Sequence, residues 1–385
     1  MLIYWILLAS ISISRCQDLD SLMSDLFNTS IPTEMPPKIG LEPCLTKDKQ
    51  KGECVNFNQC VNTNNGDYVV NIIRILDGPC KSYLDVCCVP TNVQDQPLPL
   101  PKPFLPREGC GWRNPNGVGM VTTGDVNGEA KFGEFPWMVA VLRKDPTIPG
   151  GFRHIGGGSL IHRSVVVTGA HVVVATNSVG KLMVRAGEWD TQTTKEPYPY
   201  QDRDVSNIVV NKDYKSRNLA NDIALLFLSL PMMLTPNVGL VCLPAVGQTT
   251  PPGTRCHASG WGKDHFGEVG KYQVILKKRE LPVVSPQSCQ NQLRRTRLGV
   301  FFNLDSSFMC AGGEAGKDTC VGDGGSPLVC PVQTDRYVQT GIVAWGIGCG
   351  GNTPGVYTDV ASQRSWVDEQ MTAAGYDASS YTMKI

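Results

Sequence analysis

Cys320-Val321-Gly322-Asp323-Gly324-Gly325-Ser326-Pro327-Leu328-Val329-Cys330 is the stretch on which the reading of this chain turns. Its two cysteines belong to a set of fifteen in 385 residues. Residues 1–16, MLIYWILLASISISRC, run apolar and then small, and Ser14 and Cys16 fit the positions just before a signal-peptidase cut. Removal of that segment leaves Gln17 as the mature start and fourteen cysteines, an even count that in a secreted, extracellular chain implies disulfides. The apolar run is too short to span a membrane, and no later segment qualifies. Lys+Arg and Asp+Glu are both 35, so the net charge is +0. No global basic field draws the chain to nucleic acid or an anionic membrane.

The cysteines fall into two groups. Cys44, Cys54, Cys60, Cys80, Cys87 and Cys88 are compact, whereas Cys110, Cys242, Cys256, Cys289, Cys310, Cys320, Cys330 and Cys349 are spread out. Metal binding is the competing reading, but no histidines accompany them at finger spacing, so no metal site is expected. Residues 17–43 are polar with Pro32, Pro36 and Pro37, a flexible leader that carries the sequon Asn28-Thr29-Ser30, a glycosylation acceptor. Residues 44–88 are too few to hold a core alone and need their cysteines paired. Tyr68-Val69-Val70 and Ile72-Ile73 are their candidate strands. Residues 89–123 begin with a proline-rich linker. From 124 to 374, short apolar runs such as Trp137–Leu142, Val165–Thr168 and Ile223–Leu228 alternate with Gly, Pro and Asn. That pattern predicts many antiparallel strands, hence a sandwich or barrel. A closing helix is expected from Ser362 to Thr372, followed by a tail from 375 to 385.

The opening stretch resembles, in frame, the nucleophile loop of the trypsin/chymotrypsin family, whose pattern reads Gly-Asp-Ser-Gly-Gly-Pro. Gly324 stands where that family has its serine. Glycine offers no hydroxyl to attack a carbonyl and no atom to carry an acyl group. Ser326 lies two residues further on. A strand advances about 3.3 Å per residue, so Ser326 does not substitute within the roughly 2.6–3.2 Å that a catalytic hydrogen bond needs. Thr168-Gly169-Ala170-His171 resembles the histidine loop, which makes His171 the general-base equivalent. Asn221-Asp222-Ile223-Ala224-Leu225-Leu226 resembles the aspartate loop, which makes Asp222 its orienter. Gly322 and Gly324 retain backbone N–H groups for an oxyanion hole. Asp318 matches the pocket-base aspartate of trypsin-like members, and Trp345-Gly346 and Pro354-Gly355-Val356-Tyr357 match the pocket walls. The implied fold is all-β: a chymotrypsin-like double β-barrel with a C-terminal helix. The family's pairing implies Cys110–Cys242, Cys256–Cys330, Cys289–Cys310 and Cys320–Cys349.

The spacing of the first six cysteines, with Cys87-Cys88 adjacent, resembles the clip domain of arthropod serine proteases. That implies a small disulfide-stapled module with pairs Cys44–Cys87, Cys54–Cys80 and Cys60–Cys88. Several features depart from an active protease. The activation junction, counted back from Phe135-Pro136-Trp137, falls near Thr123-Gly124 with no basic residue, and the nearest upstream is Arg113. Asp323 thereby lacks the freed ammonium that pairs with it in the family. Gly156 and Val172 replace the cysteine pair that braces the histidine loop, and Ala344 replaces a pocket-wall serine. Arg74-Ile75 inside the clip module is a candidate cut for an upstream trypsin-like enzyme. The loop from Ala186-Gly187-Glu188, with Glu188, Asp190 and Glu196, binds calcium in some relatives, and a solvated surface loop is its competing reading. No cofactor is otherwise required.

The resemblance as a whole is to clip-domain serine protease homologues of the prophenoloxidase-activating cofactor type. It implies a secreted, non-catalytic adaptor of haemolymph in an immune cascade leading to melanisation. Its expected partners are prophenoloxidase or the clip-domain proteases of the cascade, with self-association after cleavage. An active trypsin-like endopeptidase and a microbial-surface recognition protein are the rival readings. Gly324 stands against the first of these rivals.

Overall fold

The computed structural model describes residues 42–46, 48–56, 59–60, 71–72, 79–80, 85–94, 107–118, 121–122, 128–147, 151–174, 180–192, 194, 196–263, 272–315, 322–348 and 351–383. Three strands form the N-terminal module: β1 (Pro43–Leu45), β2 (Lys51–Asn56) and, after β3 (Asn71–Ile72), β4 (Asp85–Cys88). They make an antiparallel sheet of order β1-β2-β4. Its register sets Cys54 opposite Cys87 and Cys44 opposite Gly52. Cys44 joins Cys87, Cys54 joins Cys80, and Cys60 joins Cys88. A Cβ at position 52 would meet the Cys88 carbonyl oxygen at 2.7 Å and the Cys87 sulfur at 2.9 Å, so only glycine fits beneath this staple.

Ile72 lies in a short strand, as expected. β3 lies outside the sheet and pairs in parallel with β5 (Val121–Thr122). The disulfides explain this, because they draw β4, and not the Ile72 segment, alongside β2. Tyr68-Val69-Val70 and Ile73 lie outside the described residues.

Twelve further strands close two barrels. The first uses β6 (Met138–Lys144), β7 (Phe152–His162), β8 (Val165–Thr168), β9 (Leu182–Ala186), β10 (Gln201–Val210) and β11 (Ala224–Leu228). The second uses β12 (Arg255–Gly260), β13 (Lys277–Val284), β14 (Phe308–Gly312), β15 (Pro327–Gln333), β16 (Arg336–Trp345) and β17 (Pro354–Asp359). Their cyclic orders are β10-β11-β8-β7-β6-β9 and β12-β13-β14-β17-β16-β15. This is the chymotrypsin-like double barrel that the resemblance implies.

The apolar runs follow from burial on both strand faces. On β6, Val139 and Val141 pack with Leu160, Leu182, Ala224 and Leu226 in one cluster. The alternate residues Met138, Ala140 and Leu142 join a second cluster that contains Val329, Tyr337, Ile342, Val360 and Met371 of the C-terminal half. Successive side chains point to opposite faces, so a strand wedged between a barrel interior and a neighbouring barrel must be apolar throughout. A third cluster, including Cys256, Leu281, Val283, Leu328 and Tyr357, fills the second barrel.

Among the described residues the α-helices are α1 (Ala170–Val174), α2 (Pro286–Arg294) and α3 (Val360–Ala373). α2 starts at an N-cap, Ser285, whose hydroxyl accepts the Ser288 N–H, with Pro286 in the first turn. The closing helix begins at Val360, two residues before the expected Ser362, because Asp359 caps it by accepting the Ala361 N–H at 3.0 Å. The segment beyond α3 is seated on it. Tyr381 is fully buried, its hydroxyl donates to Asp368 at 2.8 Å, and its carbonyl accepts the Leu243 N–H.

Candidate functional site

The site is built where three backbone turns meet between the barrels. β8 ends at Thr168, and α1 starts one residue after Gly169, which aims His171 back toward the β11 side. The Asp222 side chain is fully buried. Its Oδ1 accepts the His171 backbone N–H at 2.8 Å, and its Oδ2 lies 2.6 Å from His171 Nδ1. The Thr358 hydroxyl donates to the Asp222 carbonyl at 2.9 Å. A carboxylate only accepts, so Nδ1 donates to Asp222 and Nε2 faces away from it. What lies beyond is Gly324. A Cβ at position 324 would fall inside 3.0 Å of His171 Nε2 and 3.1 Å from Cε1. The imidazole thus occupies space that a nucleophile side chain would need.

The turn carrying Gly324 is clamped to β7. The Gly157 N–H donates to the Gly324 carbonyl at 2.9 Å, and the Thr168 hydroxyl donates to the Gly157 carbonyl at 2.7 Å. The Gly325 N–H donates to Val343 on the other side. Gly325 has φ 82°, a left-handed conformation that favours glycine. Ser326 is fully buried, with its Oγ against the Cα atoms of Gly157 and Gly260 and without a hydrogen-bond partner. It faces the interior, away from the open side of the turn.

Asp323 Oδ1 accepts the Gly262 N–H at 2.8 Å. The carboxylate is therefore held by a backbone amide. Gly322 has φ 98°, and the ring of Tyr272 rests on it, with Cε1 2.6 Å from where a Cβ would be. Gly156 and Val172 stand side by side, a Cβ at 156 falling 2.9 Å from Val172 Cγ1.

On the pocket side, Trp345 is half-buried and packs edge-on against Phe302 at 6.1 Å and Phe308 at 6.0 Å. Its ring N–H is buried without an acceptor. Gly346 is open, a Cβ there meeting only the Gly348 carbonyl at 3.5 Å, and Gly355 sits buried in β17. Ala344 is buried in the cluster behind Trp345. Asp318, Cys320 and Cys349 lie outside the described residues, as do Arg74, Ile75, Asn28 and the Thr123-Gly124 junction. Cys110–Cys242, Cys256–Cys330 and Cys289–Cys310 are bonded.

Glu188, Asp190 and Glu196 lie between β9 and β10, and the Asp190 N–H donates to Glu196 Oε1 at 3.3 Å. Burial pushes the Glu196 carboxyl up to about 7, with Glu188 and Asp190 adding to the rise. Glu188 is also engaged: Arg185 Nη1 lies 3.1 Å from one oxygen, and the Trp189 N–H donates to the other at 3.0 Å. Cys44, Cys54 and Cys80 form the one close group of three metal-type donors among the described residues, and all three sulfurs are in disulfides. No helix among the described residues is long and apolar enough to cross a membrane.

Two features have no signature in the sequence. The first is a buried ionic knot. Arg113 contacts the fully buried Glu134 at 2.5 Å, lies 3.1 Å from His257 Nε2 and donates to the Tyr337 hydroxyl at 2.8 Å. Lys278 joins the same carboxylate at 3.1 Å. Burial, reinforced by Arg113, lowers His257 to about 4. Arg113 is thereby part of the scaffold. The second is His154, which burial also lowers to about 4 and whose ring lies edge-on to Trp261 and Tyr272.

Residues 126–367 match the Trypsin family. The chain is 59% identical over 299 residues to "Phenoloxidase-activating factor 2" of Galleria mellonella, a match covering 75% of this chain and 98% of that protein. It is 43% identical over 300 residues to "Inactive CLIP domain-containing serine protease A3" of Aedes aegypti, covering 77% of this chain and 58% of the relative. It is 40% identical over 313 residues to the corresponding A28 protein of Anopheles gambiae, covering 76% and 78%. With a double barrel, a stapled N-terminal sheet and these relatives, the chain belongs to the trypsin family and, within it, to the clip-domain serine protease homologues.

Proposed function

We propose that this chain is a secreted, catalytically inactive cofactor that supports proteolytic activation of prophenoloxidase, and that cleavage after Arg74 brings it into its working form. The observation that carries the reading is the site itself. His171 and Asp222 keep the base–orienter geometry, while Gly324 supplies no atom to form an acyl intermediate. Such a frame positions and binds without turnover. The relatives supply the cascade, since one carries the name phenoloxidase-activating factor and others are called inactive clip-domain proteases. The proposed cut is at Arg74-Ile75, an Arg-Ile pair within the span closed by Cys60–Cys88 and Cys54–Cys80, which would retain both fragments.

Calcium belongs to the proposal at Glu188, Asp190 and Glu196. A half-buried carboxyl raised by burial, with two neighbouring acids adding to the rise, is chemistry that a hard cation relieves. The reading is tested by reconstituting prophenoloxidase activation with intact protein, cleaved protein and the Arg74→Gln variant. Cleaved protein should raise activation, while Arg74→Gln should resist cleavage and give no increase. A cleavage-resistant variant that supports activation fully would place the switch elsewhere. No effect from any form would refute the cofactor role.

A further inference from the structure

Beyond the cleft, one surface feature is built and unaccounted for. Phe301 is 92% exposed and Val300 is 69% exposed. They sit side by side at the tip of the loop that follows α2. Large apolar side chains this open are costly to keep in water, and a pair held out together marks an interaction site.

The loop is fixed from beneath, so the exposure does not come from slack chain. Arg294 Nε donates to the Phe302 carbonyl at 2.7 Å, and Nη2 donates to Asn303 Oδ1 at 2.9 Å. The Thr296 hydroxyl donates to Leu293 O at 2.6 Å, and the Leu304 N–H donates to Gln290 Oε1 at 2.9 Å. Leu298, Phe302 and Leu304 turn inward and pack against the cluster beside Trp345. The tip is thus a rigid knob footed on the pocket-wall tryptophan, at the rim of the cleft.

Its charge is one-sided. From 286 to 304 the sequence has Arg294, Arg295 and Arg297 and no Asp or Glu, in a chain whose net charge is +0. Arg294 is used inside the loop, while Arg295 and Arg297 are exposed. The nearest acid after the segment, Asp305, is turned to the Ser307 N–H at 3.0 Å.

We infer that the Val300-Phe301 knob, with Arg295 and Arg297 beside it, is a docking surface for a protein partner that presents an apolar pocket rimmed by acidic side chains. Aromatic and arginine side chains are the residues that carry most of the energy where they enter a partner's pocket. A preformed loop binds without the cost of ordering. Two outward apolar side chains and two free guanidinium groups are too few for a bilayer, where polybasic attachment takes clusters of about four to eight. The inference rests on the adaptor reading, which supplies prophenoloxidase as the protein to present.

The test is binding of the full chain, after cleavage, to immobilised prophenoloxidase at low and high salt, with Phe301→Ser, the pair Arg295→Glu/Arg297→Glu, and Val246→Ser. Val246 is 64% exposed and belongs to a different loop, so its substitution controls for simple loss of surface apolarity. Thermal melting of each variant confirms folding. Phe301→Ser should weaken binding about tenfold or more. The arginine pair should weaken it and flatten its salt dependence, while Val246→Ser leaves it unchanged. Unchanged binding by both knob variants overturns the inference and leaves the adaptor reading standing. No binding by the unmodified chain removes both. Phe301-dependent binding to phosphatidylserine vesicles without prophenoloxidase binding assigns the knob to membranes and overturns the inference. Loss of self-association in Phe301→Ser, seen by sedimentation, assigns it to a second copy and does the same.

Discussion

Restoring serine at position 324 is the perturbation that most sharply separates a missing atom from a remodelled site. The Cβ that the substitution adds would lie inside 3.0 Å of His171 Nε2 and 3.1 Å from Cε1. Favourable carbon contacts sit at about 3.5–4.0 Å, so the imidazole must retreat by several tenths of an ångström to about 1 Å. It is not free to do so. Asp222 holds its Nδ1 at 2.6 Å and its backbone N–H at 2.8 Å, and Asp222 is itself fully buried. Forcing volume into a packed site typically costs about 1–3 kcal/mol. A misplacement near 1 Å at a catalytic group costs about 100-fold in rate. On the oxyanion side Tyr272 rests on Gly322 and Asp323 accepts the Gly262 amide. Gly324→Ser should therefore melt below the unmodified protein and turn over Arg- and Lys-amide substrates at least about 100-fold below ordinary enzymes, whose kcat is about 1–10³ s⁻¹. The assay is amide hydrolysis with active-site titration on purified, cleaved protein. A stoichiometric burst followed by turnover in the ordinary range would refute the reasoning.

Acid should destabilise the fold through His154 and His257. Both hold folded values near 4 against an ordinary 6.5, so the unfolded chain binds the extra protons. Stability is complete above pH 6.5 and is lost as pH falls toward 4. Melting temperature against pH should show this slope, and His257→Gln should flatten it. Glu196 has the opposite sign. Its folded value of about 7 lies above 4.5, so its contribution is present below 4.5 and lost as pH rises through 7. Glu196→Gln should raise the melting temperature above pH 7 without calcium. Added calcium should raise that of the unmodified protein and not of the variant, as read by scanning calorimetry. Removing Cys110–Cys242 by double serine substitution opens a tie across 132 residues and should cost about 2–5 kcal/mol in denaturant unfolding.

How much could be read in advance depended on how local each signal was. His171, Asp222 and Gly324 sit in short runs whose spacing carries their roles, so their meeting was legible even though 51 residues separate the first two. The barrel strands were legible as apolar runs because both of their faces are buried. The helix start was misjudged because the Asp359 cap lies outside the apolar pattern that suggested Ser362. Ile72 was legible as strand but its pairing with β5 was not, because β-propensity says nothing about which neighbour a strand selects. Arg113 was not legible at all. Its partners lie 21, 144 and 224 residues away, and only the closed barrels bring Glu134, His257 and Tyr337 around it.

The central claim is that a maintained protease frame carries no nucleophile. The most direct measurement is intact-mass analysis of the cleaved protein after exposure to a fluorophosphonate serine reagent, with a trypsin-like enzyme labelled in parallel. The account predicts no adduct under conditions that label the control completely, because Gly324 has no hydroxyl and the Ser326 Oγ is fully buried. A single stoichiometric adduct mapping to Ser326 would contradict it.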